Sequence, residues 1–140
     1  MSTAIKISLA ASGLFLLAGL LSGILKYQRI MSSPVHRAPH YVDIAHRASL
    51  LYSFAALVIA RLLENSPLSP SVQVWAAAVP LALFAITIGG YISFGLRNHT
   101  NNIFRERNFV TTWFMYLLII GEVGGIGLIF GGFLYTTLKG

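Results

Sequence analysis

The chain has 140 residues, of which 56% are hydrophobic and only 10% charged, and its net charge is +6. So apolar a composition excludes an ordinary soluble domain, and the lack of cysteine excludes thiolate catalysis, iron-sulfur clusters, c-type haem attachment and disulfides. The basic residues are spread through the loops rather than gathered on a face with interleaved aromatics, which excludes nucleic acid as a partner and leaves membrane lipid.

Spanning roughly 30 Å of hydrocarbon takes about 20 helical residues. Four stretches meet that length, at about 6 to 26, 42 to 63, 72 to 96 and 110 to 136. They predict an all-α protein, an integral membrane bundle of four transmembrane helices forming a single domain over residues 1 to 140. The first span has Lys6 ahead of it but ends in Ser22-Gly-Ile-Leu-Lys-Tyr27 without a small-x-small cleavage site, so it reads as retained rather than as a signal peptide. The following loop contains Pro34 and Pro39 and is expected to be irregular. In the second span Asp43 and Arg47 stand four apart and are expected to pair. Pro67 and Pro70 stop the chain between spans two and three, which makes these an antiparallel hairpin. Pro80 is expected to kink span three and help open a pocket. The polar loop after it, Arg97 to Asn108, has the character of a lid.

Lys26, Arg29 and Arg37 flank the first loop and Arg97, Arg105 and Arg107 the third, with Arg47 just inside that boundary. The opposite side has Lys6, Arg61 and Lys139. The positive-inside rule therefore assigns loops 27–41 and 97–109 to the cytoplasm, in the cell inner membrane, with both termini outside. Tyr27, Tyr41 and Phe109 on one side and Trp75 and Tyr135 on the other read as interfacial belts. Glycines four apart, Gly19 with Gly23, Gly121 with Gly125 and Gly127 with Gly131, suit close helix contact, either inside one bundle or between subunits.

His46 is the one histidine inside an apolar span, and imidazole is both the commonest metal ligand and costly to place in lipid. It lies about 6 Å into span two and Tyr91 about 8 Å from the end of span three, so the two can share a depth. Thr111, Thr112, Trp113 and Tyr116 enter the same layer from span four, with Ser49, Tyr52 and Ser53 beneath it. A pocket open to the cytoplasmic side follows, and haem b suits it: His46 on iron, aromatic walls including Trp113, and propionates toward Arg37, Arg47, Arg97, Arg105 and Arg107. No second histidine lies at membrane depth, so the sixth iron position is open unless another subunit fills it, which favours ligand binding or catalysis over electron transfer. The structural alternative is a His46 hydrogen-bonded to Asp43 or to a backbone carbonyl. His36 and His40 could join it in a divalent metal site, although the two prolines oppose the helix that site needs. Glu122 stands mid-span, where translocon scales put Asp, Lys and Arg at about 2.5 to 3.5 kcal/mol. It reads either as a proton carrier or as a neutral acid bridging helices.

From about Pro39 to Gly140 the chain resembles the styrene oxide isomerases and the related hydroxylaminobenzene mutases, most clearly in Ala45-His46 opening the second span and Gly89-Gly90-Tyr91 closing the third. The spacing of 45 residues between His46 and Tyr91 is similar to that of the isomerases. The resemblance implies a ferric b haem on His46, a small apolar epoxide opened by iron as Lewis acid and converted to a carbonyl compound, Tyr91 orienting the substrate oxygen, and a homotrimer with haem near subunit contacts. Where the family has asparagine and glycine this chain has Tyr52 and Ser53, and where the isomerases have an acid it has Leu83. Tyr52 would then occupy the distal space or become a ligand. Two other classes of function remain open on the sequence: a non-catalytic accessory subunit packing through its glycine faces, and a small proton-coupled transporter that uses Glu122.

Overall fold

The structure, a computed structural model, describes residues 1 to 139 and is all-helical, with no strand among them. Four helices form the bundle: α1 (Thr3–Met31), α2 (His40–Leu63), α3 (Pro70–Arg97) and α4 (Met115–Lys139), the last preceded by a π-helical turn over Val110–Phe114. Each span is long and apolar enough to cross a membrane. Their boundaries follow local chemistry. Ser2 caps α1 by accepting a hydrogen bond from the Ile5 amide, and Pro70, which has no amide hydrogen to lose, occupies the first turn of α3. At the end of α3 Asn98 adopts a left-handed conformation (φ 49°), and its amide bonds to the Phe94 carbonyl. The first loop is shorter than expected, because α1 continues through Tyr27 to Met31.

Consecutive helices run antiparallel. Gly19 and Gly23 of α1 meet Leu50 and His46 of α2, Gly95 of α3 meets Val42 of α2, and Gly121 and Gly125 of α4 meet Leu83 and Pro80 of α3. These glycines are where the backbones come closest: a Cβ on Gly125 would lie 2.7 Å from the Ala76 carbonyl oxygen, and one on Gly19 would lie 2.6 Å from Leu50. Gly19, Gly23, Gly121 and Gly125 are thus used within the bundle, whereas Gly127 and Gly131 face open space. Pro80 is buried in the α3–α4 seam against Gly125 instead of lining a pocket. The core runs between α1, α2 and α3 through Phe15, Ile59, Leu81 and Phe84, and Ile129 is the main anchor of α4. Most of α4 is exposed.

Candidate functional site

The pocket expected around both His46 and Tyr91 is divided into two places in the structure. The first is a notch on the α1–α2 seam. There the His46 ring lies against Gly23, whose missing Cβ leaves room for it: a Cβ at that position would come within 2.9 Å of the ring. His46 Nδ1 lies 2.8 Å from the Gly19 carbonyl oxygen. A carbonyl can only accept, so in the neutral ring Nδ1 is the donor and Nε2 holds the lone pair. The same carbonyl also accepts from Ser22 Oγ at 3.0 Å. The ring is half-buried, and Nε2 makes no hydrogen bond among the described residues. Asp43, one turn earlier, pairs with Arg47 at 2.7 Å as expected and also with Lys26 of α1 at 2.6 Å, tying the two helices together beside the notch.

The second place is an apolar cavity of about 410 Å³ between α2, α3, the start of α4 and the third loop. Tyr52 and Tyr91 both line it, with Thr87 between them in depth. His46 does not. On an α-helix each residue turns about 100°, so Tyr52, six residues beyond His46, points about 120° away from it. Depth was readable from the sequence; this rotation separates His46 from the two phenols. Tyr52 stacks on Phe84 with ring centroids 4.2 Å apart. Tyr91 stacks on Tyr41 at 6.0 Å.

Tyr41 differs from its expected role in an interfacial belt: it is buried, and its hydroxyl accepts a 2.8 Å hydrogen bond from the Ile103 amide. That bond holds Ile103 and Phe104 at the cavity mouth, so the third loop is pinned there at one point. The opposite wall is the π-helical turn, closed by the Phe114 amide on the Phe109 carbonyl at 3.1 Å. Such turns are rare and recur at functional sites because the extra residue re-aims side chains. Here Phe109, Val110 and Phe114 all reach the cavity.

The other residues expected in one layer are dispersed. Trp113 and Tyr116 are exposed and tilt against each other outside the cavity. Thr111 bonds within the loop to Asn108 and Glu106. Ser49 and Ser53 turn their hydroxyls back on α2 carbonyls. Arg97 is exposed at the end of α3, and Arg47 is committed to Asp43. No cluster of three histidine, cysteine or acidic side chains is placed to hold a metal among the described residues, and His36 is in the loop with φ 49°, off any helix.

Two buried polar atoms lack partners, Thr87 Oγ1 and Glu122 Oε1. Sequence reading singled out Glu122 but missed Thr87, along with Phe94 and Leu118 of the cavity wall. A threonine in an apolar helix gives no signal of its own, because its hydroxyl usually bonds back to the preceding turn. The chain matches no family model, and no curated protein or solved structure shows significant similarity to it.

Proposed function

We propose that the chain is an integral protein of the cell inner membrane that binds haem b through His46 and isomerises small apolar epoxides to carbonyl compounds, with loops 27–41 and 97–109 on the cytoplasmic side. The observation that carries this reading is the hydrogen bond from His46 Nδ1 to the Gly19 carbonyl. A ring nitrogen bonded to a backbone carbonyl fixes the orientation and tautomer of a metal-ligating histidine and raises the basicity of the other nitrogen. Nε2 is that other nitrogen, on a half-buried ring and without a hydrogen-bond partner among the described residues. These features fit one axial ligand. Bound there, a ferric haem would supply a Lewis acid for the epoxide oxygen, so that ring opening and a 1,2-hydride shift proceed without net redox change.

The chain's own side chains contribute the rest. The apolar lining of the cavity excludes water from a reactive epoxide, and the Tyr91 hydroxyl, which has no hydrogen-bond partner among the described residues, is free to orient an oxygen. Tyr52, held flat against Phe84, narrows the floor and selects for small substrates. Because His46 and the two tyrosines open on different sides of one chain, the complete site calls for a second copy, in keeping with the trimer that the resemblance to styrene oxide isomerases implies. Lipid-soluble substrate reaches the cavity laterally, past the exposed Phe104 and Phe109.

The test is the visible spectrum of the detergent-purified protein before and after dithionite. A Soret band that shifts on reduction and is absent from His46→Ala is expected, with helicity by circular dichroism unchanged. Haem retained by His46→Ala would remove the assignment. A second reading, a non-catalytic accessory subunit, is favoured by the outward face of α4, where Gly124, Gly127 and Gly131 meet nothing. It predicts a colourless protein that is stable only with its partner.

A further inference from the structure

The cavity has a one-sided electrostatic character. Six aromatic side chains line it, Tyr52, Tyr91, Phe94, Phe104, Phe109 and Phe114, and no lysine, arginine or histidine does. Its polar side-chain atoms are all oxygens: the two phenols and Thr87 Oγ1, which is buried without a partner. Outside the lining itself, one turn further along α4, stands a carboxyl group. Met115 and Leu118 line the cavity from α4, and Glu122 lies four residues beyond Leu118 on the same helix face. Glu122 is within electrostatic reach of both Tyr52 and Tyr91, its Oε1 is buried without a hydrogen-bond partner, and it forms no ion pair among the described residues. Of the other three acids, Asp43 and Glu64 near helix ends are each matched by a basic side chain, and Glu106 is exposed in the third loop.

We propose that this cavity is a binding site for a lipophilic organic cation, an aromatic or alkyl ammonium, with Glu122 as its counter-charge and the aromatic walls as its cage. An acid at mid-span is costly unless it is neutral or paired, and the chain itself supplies no cation to it. Aromatic rings attract an ammonium through their quadrupole, the more so once water is excluded. The ligand therefore provides what the fold omits: a positive charge for Glu122 and a group for the Thr87 hydroxyl to meet. The assignment goes beyond the epoxide reading and does not rest on it. Under that reading the same ammonium would compete with substrate for the cavity.

The experiment follows the thermal unfolding midpoint of the full chain in detergent while titrating benzyltrimethylammonium or its uncharged carbon isostere, neopentylbenzene, since a ligand that binds the folded state raises the midpoint by mass action. The cation is expected to bind the wild-type chain at least about tenfold more tightly than the isostere, a difference within the range of a desolvated cation–aromatic contact joined by a charge. That preference should vanish in Glu122→Gln, which keeps the shape and binds the isostere unchanged, showing that the cavity is intact. Equal stabilisation of wild type and Glu122→Gln by the cation, equal binding of the two probes by wild type, or no binding of either overturns the proposal. The midpoint shift is independent of the Soret band, so failure here leaves the His46 assignment standing, and a colourless protein that discriminates the probes keeps this site.

Discussion

Across the α1–α2 seam the buried serines are all satisfied: Ser8 by Ala4, Ser22 by Gly19, Ser49 by Ala45 and Ser53 by Leu50, while Ser12 reaches across to the Ser53 carbonyl. On the α3–α4 side Thr87 Oγ1 and Glu122 Oε1 are buried and have no partner. Glycine contacts close both seams, and the first adds an inter-helix ion pair and short hydroxyl bonds. The second encloses a cavity, and its last helix is the most exposed of the four. A buried polar group without a partner costs free energy, so a fold that satisfies one seam and leaves the other open concentrates its unmet demand where a ligand can enter.

The largest expected effect is at the closest backbone approach. Gly125→Val brings a branched side chain against the Ala76 carbonyl and the Pro80 ring, which a Cβ would meet at 2.7 and 2.9 Å. It should destabilise the protein by at least about 1–3 kcal/mol, the range for overpacking, seen as a lowered midpoint in detergent. A wild-type midpoint would mean that α4 is not held on α3 by this contact.

A pair of hydroxyl deletions contrasts the two halves by sign. Ser49→Ala removes a bond of 2.7 Å to Ala45 and should cost about 0.5–1.5 kcal/mol. Thr87→Val, nearly isosteric, removes a hydroxyl that has no partner and should be neutral or stabilising by about 1 kcal/mol in ligand-free protein. Losses of equal size at both positions would erase the distinction between the seams.

Tyr41→Phe keeps the ring stacked near Tyr91 and Phe94 but deprives the Ile103 amide of its acceptor. Local loosening of the cavity mouth worth about 1 kcal/mol is expected, read as faster amide exchange at Ile103 and Phe104 with little change in the global midpoint. Exchange unchanged at those amides would show that other contacts pin the loop.

The smallest effect belongs to the outer face of α4. Gly127→Ala and Gly131→Ala add a methyl group where nothing lies within 4 Å and should carry no packing cost, leaving only the helix-propensity gain of alanine over glycine, at most about 0.5–1 kcal/mol each. A cost comparable to that of Gly125→Val would identify this face as a packed contact between copies, sharpening the trimer proposal.

Much of the architecture was legible beforehand. Apolar runs of sufficient length marked four helices, and Pro67 and Pro70 marked the turn between the second and third. Asp43 and Arg47 were expected to pair because four residues bring side chains onto one helix face, and they do. The Lys26 partner was not expected, since it comes from another helix. Tyr41 read as a membrane-surface aromatic because its position near a span end says nothing about whether a loop will fold over it.

The sequence by itself determined how many helices there are, which stretches form them and about how deep along the bundle each polar side chain lies, because length and residue count fix the axial coordinate. Only the tertiary structure decided the rotation of each helix and the identity of its neighbour. That rotation turned His46 toward Gly19 and Gly23 and turned Tyr52 and Tyr91 toward Thr87 and the aromatic cavity. His46 and Tyr52, six residues and about 9 Å apart along one helix, point about 120° apart to different partners, and in helices apolar on nearly every side no hydrophobic stripe in the sequence records which way each face turns.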